Sequence, residues 1–310
     1  MSEAPTAPPA NPPAPPTPAS KVLLALLLVQ VCFSSLQIVG KIVLAELPPL
    51  ALAATRVLIA TPILLAIAWR HDRFVPDRAD WPRLALLGGL GIFANQVLFL
   101  LGLSFTTATS AGVLMPSIPV FTAAIAGMLG IERLTGRRLT GILLAAAGAV
   151  ALVDPASLDV SSRGSIGNLL ILANCLAYSI FLVGQRPLLV RIPWRTLIAW
   201  SFLTGGMATI AVAAPSLARV EWAALAPKTF AGVLWIGLVP TAFAFALNTW
   251  AVRRTSPAMV AAFITLQPLL TTAGAVAWLG ERPGWDQGLG FALIAGGLAL
   301  VATARRGARS

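Results

Sequence analysis

The chain has 310 residues, of which 57% are hydrophobic and only 11% are charged, and its mean hydropathy is +0.85. Soluble domains carry about 25% charged residues, so this composition excludes an ordinary soluble globular protein. The net charge of +11 does not indicate nucleic-acid binding, because basic residues of membrane proteins concentrate in cytoplasmic loops. Long uncharged runs alternate with short charged runs, without the residue alternation of a β-barrel. This pattern predicts an all-α membrane protein that crosses the lipid bilayer several times.

Eight prolines occur in residues 1–20, which predicts a disordered cytoplasmic tail with polyproline character. Apolar segments then follow one another as far as residue 304, and about 20 apolar residues suffice to cross the hydrocarbon core. We predict ten transmembrane helices, at residues 22–44, 50–69, 82–103, 109–130, 139–153, 166–189, 196–214, 229–251, 257–279 and 286–304.

One motif, P-x12-E-R-x7-G-x6-G, occurs twice, with its copies 149 residues apart. Self-similarity at half the chain length indicates an internal duplication. We therefore predict two five-helix repeats, at residues 21–154 and 155–305, followed by a short basic cytoplasmic tail at 306–310. The first copy has Pro119, Glu132, Arg133, Gly141 and Gly148, and the second has Pro268, Glu281, Arg282, Gly290 and Gly297.

Lysine and arginine are distributed unequally between the two sides that ten spans would define. The side that holds both termini carries 16 of the 22 basic residues, and the other side carries four. This bias predicts that both termini are cytoplasmic, in a multi-pass protein of the bacterial inner membrane. Because five spans per repeat is an odd number, the second repeat must cross the membrane in the opposite sense. Such an inverted arrangement suits alternating access.

Residues for catalysis or metal binding are scarce in the apolar segments. The single histidine, His71, lies in a predicted loop, and no acidic residue lies near the middle of a predicted span. An intramembrane enzyme or a zinc site needs such groups at depth, so we predict no enzyme activity, no metal and no cofactor. Cys32 and Cys175 lie inside apolar spans, which favours small core residues over a disulfide or a metal site.

Charged residues at or inside the predicted spans are candidates for a gate. Glu132 and Glu281 occupy corresponding span ends on opposite sides of the membrane, where each could lock one conformational state or simply cap a turn. Lys41 and Arg56 are the basic residues inside spans. Each could extend to the periplasmic surface, pair with a neighbouring helix, or contact a substrate or gate.

Proline and glycine recur at corresponding places in the two repeats. Pro119 and Pro268 lie within predicted spans four and nine, where proline removes a helix hydrogen bond. The result is either a hinge for a rocking motion or a static kink. The repeated glycines form small faces that let helices approach closely, within a repeat or in a homodimer.

Uncharged polar side chains occur near mid-membrane in several spans. An amide that faced lipid would lose its hydrogen bonds, at a cost of a few kcal/mol. These side chains must therefore face other helices or a hydrated cavity, and both interpretations stay open because polar pairs also join membrane helices. The cavity candidates are Gln37, Asn95, Gln96, Asn174, Tyr178, Asn248 and Gln267.

Residues 22–304 resemble the drug/metabolite transporter superfamily, specifically an EamA-type permease. The resemblance implies ten helices in two inverted repeats, a central cavity reached from alternate sides, and export of amino acids, related metabolites or drugs. The segment from Phe33 to Gln37 departs from the Trp-Gly and Asn that family members often have there. The resemblance is carried by Gly40-Lys41, Leu47-Pro48-Pro49-Leu50, Arg56, Gly130-Ile131-Glu132-Arg133-Leu134-Thr135 and Leu279-Gly280-Glu281-Arg282, together with the repeated prolines and glycines.

The predicted function is that of a secondary transporter or exporter that moves small metabolites, such as amino acids or related amphipathic solutes, across the inner membrane by alternating access. A passive, channel-like facilitator and a non-transporting membrane sensor or scaffold are the alternatives. Polar amides at mid-membrane in both halves favour transport over a scaffold, and the short, featureless tails disfavour a sensor. The expected partners are the small-molecule substrate and the lipid bilayer.

Overall fold

The computed structural model describes residues 18–106, 114–133, 135–152, 162–270 and 285–303. Most of the predicted N-terminal tail, the C-terminal tail and Glu281 lie outside the described residues, as do the side chains of Gln37 and Lys41. Within the described ranges the chain forms helices joined by turns and contains no strand, which confirms the all-α prediction. The helices are α1 (Ala19–Leu44), α2 (Pro49–His71), α3 (Arg78–Phe105), α4 (Ser117–Met128), α5 (Gly136–Leu152), α6 (Ser162–Leu188), α7 (Trp194–Ala218), α8 (Pro227–Arg254), α9 (Pro257–Leu270) and α10 (Trp285–Thr303).

Six of the described helices, namely α1, α2, α3, α6, α7 and α8, are long and apolar enough to cross a membrane. The shorter helices α4, α5, α9 and α10 lie within or near the fourth, fifth, ninth and tenth predicted spans. The chain is therefore a multi-spanning α-helical membrane protein, as predicted, whereas the number of spans stays a prediction.

Proline marks where several helices begin. Pro49, Pro227 and Pro257 each occupy the first or second position of a helix, where the missing N–H would have no partner in any case. At α9 the hydroxyl of Ser256 also accepts a hydrogen bond from the backbone N–H of Met259 at 3.2 Å, which caps the helix start. The short turns before α2 and α9 follow from this local chemistry.

The internal duplication extends to irregularities of the backbone. The helix α3 contains a π-helical segment, Gly89–Ala94, and α8 contains another, Gly237–Phe243, at the corresponding position. Both helices end at a threonine with an extended backbone, Thr106 and Thr255. Local widening of this kind is rare and concentrates at functional sites, so its recurrence indicates that both repeats inherited the same helix.

The crossing of α5 and α10 shows how the repeats are related. A Cβ added to Gly141 would lie 2.8 Å from the carbonyl oxygen of Gly297, and a Cβ on Gly148 would lie 2.8 Å from that of Gly290. Because Gly290 and Gly297 are the repeat counterparts of Gly141 and Gly148, these contacts are reciprocal, and the two helices run antiparallel. The contact is therefore one of pseudo-two-fold symmetry between inverted repeats. The small faces pack between the two repeats, and a homodimer stays a prediction.

A second helix crossing, between α2 and α7, obeys the same two-fold symmetry. A Cβ on Gly206 of α7 would lie 2.5 Å from a methyl carbon of Val57 in α2, and these residues are 149 positions apart. Further contacts between the repeats join α3 to α6, α1 to α8 and α4 to α9. The two repeats thus share one interior, in which polar side chains from both can meet.

Candidate functional site

Two amide pairs join the repeats deep inside the bundle. Asn95 of α3 donates a hydrogen bond from Nδ2 to Oδ1 of Asn174 in α6 at 2.8 Å. Gln267 of α9 donates from Nε2 to Oε1 of Gln30 in α1 at 2.9 Å. Asn174 and Gln30 are buried, so without partners their amides would carry a desolvation penalty. Pairing with the other repeat removes part of that penalty.

A third polar contact lies one helical turn from the first. Tyr178 follows Asn174 by four residues on α6, so both side chains lie on one face of the helix. The Tyr178 hydroxyl accepts a hydrogen bond from Nδ2 of Asn248 in α8 at 3.2 Å. Both residues are buried. The face of α6 that carries Asn174 and Tyr178 therefore contacts α3 and α8 through polar groups.

Aromatic rings connect these polar contacts. The Phe245 ring of α8 lies edge-on to Phe33 of α1 at 5.6 Å, to Phe202 of α7 at 5.3 Å and to Tyr178 at 6.4 Å between centroids. Such edge-to-face pairs are favourable beyond the area they bury. Phe33 lies three residues after Gln30 on α1, so the aromatic group also adjoins the glutamine pair. We call this set the central layer: Gln30, Phe33, Asn95, Asn174, Tyr178, Phe245, Asn248 and Gln267.

The central layer offers neutral hydrogen-bond donors and acceptors beside aromatic rings. This combination suits a solute with one polar and one apolar part. Two cavities of about 320 and 340 Å³ lie elsewhere. In the described conformation the amides pair with one another, so a solute would have to replace these partners when it binds.

The structure brings five of the seven predicted cavity residues into the central layer. Gln96 lies apart from the described pairs, is 3% exposed, and has no hydrogen-bond partner among the described residues. The side chain of Gln37 lies outside the described residues. Sequence reasoning missed Phe33 and Phe245, because a phenylalanine in an apolar span carries no signal that distinguishes the bundle interior from lipid.

Arg56 connects α2 to the π-helical segment of α8. It is buried, and its Nε donates a hydrogen bond to Oγ1 of Thr241 at 2.9 Å. Thr241 in turn donates to the carbonyl oxygen of Ile236 at 2.6 Å. Among the described residues no carboxylate pairs with Arg56. The guanidinium therefore joins the two repeats inside the bundle.

Glu132 forms a cluster with residues of the other repeat. Its Oε1 accepts a hydrogen bond from the backbone N–H of Ala258, at the start of α9, at 3.1 Å. Its Oε2 pairs with Nη1 of Arg138 at 2.9 Å, and Arg138 also donates to the Ser256 hydroxyl. We call these four residues the Glu132 lock. The ion-pair partner is Arg138, whereas the adjacent Arg133 is exposed.

Two further carboxylates of the first repeat contact helix starts of the second. Glu46 accepts from the backbone N–H of Ala226 at 2.9 Å and from the Thr229 hydroxyl at 2.8 Å, at the start of α8. The hydrogen bond from the Ala226 N–H, followed by that from Thr229, lowers the pKa of Glu46 below its ordinary value.

At the start of α7, Asp72 pairs with Arg195 at 3.0 Å and accepts from the N–H and hydroxyl of Thr196 at 3.2 and 3.0 Å. A carboxylate at a helix N-terminus interacts favourably with the unpaired N–H groups and the helix dipole. Glu46, Asp72 and Glu132 therefore each stabilise the docking of one repeat on the other.

The proline positions differ from the simple expectation of kinks at Pro119 and Pro268. α4 begins at Ser117, and a turn at Met115 and Pro116 precedes it. Pro119 therefore lies in the first helical turn, where no hydrogen bond is lost. Pro268 follows a 3₁₀ turn at Phe263–Thr265, which occupies the corresponding place in the second repeat. A hinge role of either proline stays a prediction.

Inverted helical repeats around a buried polar layer are features of membrane transporters. The chain belongs to the EamA-like transporter family, whose model matches residues 20–153 and again residues 165–303. This family consists of transporters, and the chain is accordingly a membrane transporter. The family also confirms the resemblance drawn from the repeated motifs.

Individual relatives agree with this assignment. The chain is 29% identical over 91% of its length to an uncharacterized transporter of Archaeoglobus fulgidus, of which 97% is covered. It is 28% identical over 81% of its length to a probable terminal-alkyne amino-acid exporter of Streptantibioticus cattleyicolor, of which 82% is covered. A solved crystal structure with 21% identity superposes at a TM-score of 0.75 and covers 94% of this chain and 99% of its own, which shows the fold.

Proposed function

We propose that this chain is a secondary transporter that exports amino acids or related amphipathic metabolites across the inner membrane by alternating access. The observation that carries the proposal is the central layer, in which neutral amides and a tyrosine hydroxyl adjoin aromatic rings inside the bundle. An amphipathic solute would exchange its own polar groups for the amide partners and place its apolar part against the rings.

The substrate class is supported from two directions. The described side chains of the central layer are uncharged, which favours a solute with neutral or self-balanced polar groups, and its rings favour an apolar side chain. The relative from Streptantibioticus cattleyicolor is named a probable exporter of an amino acid. Amino acids with an apolar or aromatic side chain therefore head the list of candidates.

Alternating access is supported by the reciprocal contacts between α5 and α10. Repeats related by a pseudo-two-fold axis can exchange their conformations, and this exchange turns an outward-open protein into an inward-open one. We place the Glu132 lock on the cytoplasmic side, together with both termini, because that side carries most of the basic residues. The lock would then hold the cytoplasmic side closed.

The first experiment measures flux through the purified full-length chain in liposomes loaded with a mixed panel of amino acids. Selective movement of amino acids with apolar side chains is expected, and external substrate should accelerate their exchange if one site faces the two sides alternately. Folded protein that moves none of the panel would overturn the substrate class. Selective flux without accelerated exchange would contradict alternating access and support a channel-like facilitator.

Substitutions in the central layer test the site itself. Tyr178→Phe removes the hydroxyl and Gln267→Ala removes an amide, and a neutral hydrogen bond contributes about 1 kcal/mol, so apparent affinity should fall about fivefold in each variant. Asn168→Ala is the matched control, since Asn168 also accepts a hydrogen bond between α6 and α3, from the Thr106 hydroxyl at 2.8 Å, but lies outside the central layer. Normal flux in both layer variants would refute the site.

A further inference from the structure

Two hydrogen-bond donors on α1 are left unused inside the bundle. Gln30 is fully buried and its Oε1 accepts the hydrogen bond from Gln267, but its Nε2 has no hydrogen-bond partner among the described residues. Ser34 is 5% exposed, and its hydroxyl likewise has no partner in the described part of the chain. Because a buried donor without a partner costs free energy, packing alone does not account for these two groups.

Ser34 differs from two other buried serines of the bundle. The hydroxyls of Ser179 and Ser201 donate to the carbonyl oxygen four residues earlier, at 2.8 and 2.9 Å, which is a common way for a serine within a helix to satisfy its hydroxyl. Beside Ser34, the Ser35 hydroxyl donates to the carbonyl oxygen of Cys32 at 2.7 Å. The Ser34 hydroxyl makes no such bond to its own helix, so it is available to a bound solute.

The two unused donors lie on one face of α1. Residues four apart in a helix are neighbours, with Cβ atoms about 5–6 Å apart, so Gln30 and Ser34 can bind one small group between them. Phe33 lies between them in the sequence, and its ring contacts that of Phe245 at 5.6 Å between centroids. A solute held by the two donors would therefore have its apolar part beside the rings of the central layer.

The unused groups define the chemistry of their ligand. Gln30 Nε2 carries two N–H donors, and the Ser34 hydroxyl adds a third. A carboxylate accepts several hydrogen bonds and has no donor of its own, and hydrogen bonds to it are about twice as strong as those to a neutral oxygen. A carboxylate therefore satisfies these donors better than a hydroxyl does, whereas an ammonium group, which has donors only, does not satisfy them.

The charges near this site favour an anion. The described side chains of the central layer are uncharged, so none of them repels a carboxylate. The buried Arg56 donates to Thr241, which precedes Phe245 by one helical turn on α8, or about 6 Å along the axis. The positive charge of Arg56 stabilises a carboxylate held at α1, because charges interact more strongly in the bundle interior than in water.

We propose that Gln30 and Ser34 form the subsite for the carboxylate of the transported amino acid, whose apolar side chain packs against Phe33 and Phe245. This inference rests on the proposed function, because it assigns one group of that substrate to two atoms of the chain. The hydrogen bond from Gln267 holds the Gln30 amide in the orientation that presents Nε2. Ser34 is thereby a residue that determines specificity for an acid over its neutral carboxamide.

The test compares how tightly the purified full-length protein binds phenylalanine and leucine and the carboxamide of each. A hydrogen bond to a charged group contributes more than one to a neutral group, so Ser34→Ala should weaken binding of the acids about 30-fold and of the carboxamides about fivefold. The preference for the acid should then fall about sixfold. Gln30→Met should lower the same preference, because any indirect effect through Gln267 acts on acid and carboxamide alike.

Thermal unfolding without ligand separates this role from a structural one. Ser34→Ala should leave the midpoint of thermal unfolding unchanged or raise it, because no hydrogen bond is lost and alanine favours a helix more than serine does. Ser35→Ala is the matched control, since Ser35 donates to the Cys32 carbonyl and accepts from Trp235 at 3.1 Å. This control should lower the midpoint and leave the preference for the acid unchanged.

The failure of the subsite can be distinguished from the failure of the proposed function. Native protein that binds neither amino acid would overturn the substrate class together with the subsite. Native binding whose preference for the acid survives both Ser34→Ala and Gln30→Met would overturn the subsite alone, and would show that the two donors hold water or a neutral group. An equal loss of preference in Ser35→Ala and Ser34→Ala would also overturn it.

Discussion

The Glu132 lock allows a quantitative test of the closed state. Glu132 and Arg138 have side chains only 6% and 15% exposed, so solvent screens their attraction little. Arg138→Gln removes the cation and leaves the N–H of Ala258 as the remaining partner of the carboxylate. A hydrogen bond to a charged group contributes about 1.5–3 kcal/mol. If the lock forms only in the closed state, its loss shifts the equilibrium by about 2 kcal/mol, or about 30-fold.

The assay reports how often this side opens. Ala262 lies one turn below Ala258 on α9 and is fully buried. In a background with both native cysteines replaced by alanine, Ala262→Cys should react with a water-soluble maleimide only through the open state. We expect the reaction rate to rise about 30-fold when Arg138→Gln is added, because the rate follows the open population.

The neighbouring residue supplies the control. Arg137 lies on the same helix, is exposed, and donates to the exposed hydroxyl of Thr303 at 3.0 Å. Surface contacts of this kind contribute little, so Arg137→Gln should leave the labelling rate unchanged. Equal rates in the two variants, or no increase with Arg138→Gln, would refute the assignment of the lock to the closed state.

Three further predictions concern stability and the buried arginine. Gly297→Ala should lower the midpoint of thermal unfolding, because its Cβ would lie 2.5 Å from the backbone nitrogen of Ala145 and overpacking costs about 1–3 kcal/mol. Gly296→Ala should raise that midpoint, because the nearest neighbour of its Cβ is 3.9 Å away and alanine favours a helix more than glycine does. Arg56→Met should change the free energy of unfolding by no more than about 1 kcal/mol, because the variant loses a hydrogen bond but no longer has to bury a charge. It should nevertheless slow flux in liposomes. Glu46→Gln should lower the thermal midpoint at neutral pH, and its difference from the native chain should vanish in acid. The folded-state pKa of this carboxyl is depressed, so its stabilisation is present above the ordinary value of 4.5 and is lost as the pH falls through the folded value.

Each of these predictions has a distinct contrary result. Equal thermal midpoints for the two glycine variants would show that α10 moves away from α5 at no cost. Unfolding of Arg56→Met would identify a purely structural residue, and normal flux would remove any role in transport. A stability difference at Glu46 that persists in acid would mean that its charge does not contribute.

The sequence was sufficient to predict the two-fold symmetry of the fold, because the two copies of one motif lie at a constant offset along the chain. Gly141 and Gly148 recur at the same offset, and the structure places each against the counterpart of the other. To predict a two-fold axis, it is enough to know which positions of the two repeats are equivalent. The repeats followed from this spacing, the all-α class followed from composition, and the family followed from these repeats together with further motifs; all three are confirmed.

The partners of individual polar residues could not be predicted in the same way. Any buried amide needs a hydrogen bond, but which one it finds depends on how two helices are rotated about their axes. Asn95 and Asn174 are 79 residues apart, and Glu132 bonds to a backbone N–H 126 residues away. The sequence motif places Arg133 beside Glu132, whereas the helical register of α5 selects Arg138.

Differences between the two repeats determine which conformation of the transporter has the lower free energy. Two identical inverted repeats would give outward-open and inward-open states of equal free energy. A contact that one repeat makes and the other lacks therefore adds its own free energy to the difference between the two states. Arg56 corresponds to Gly205, where a Cβ would lie 2.1 Å from the carbonyl oxygen of Gly88, so a hydrogen-bonded arginine in one repeat replaces close backbone contact in the other. Arg138 of the lock likewise corresponds to Gln287, which carries no charge. The sequence therefore provides no cation at the position equivalent to Arg138, and under the proposed alternating access this asymmetry would favour a resting state that is closed on the side of Glu132.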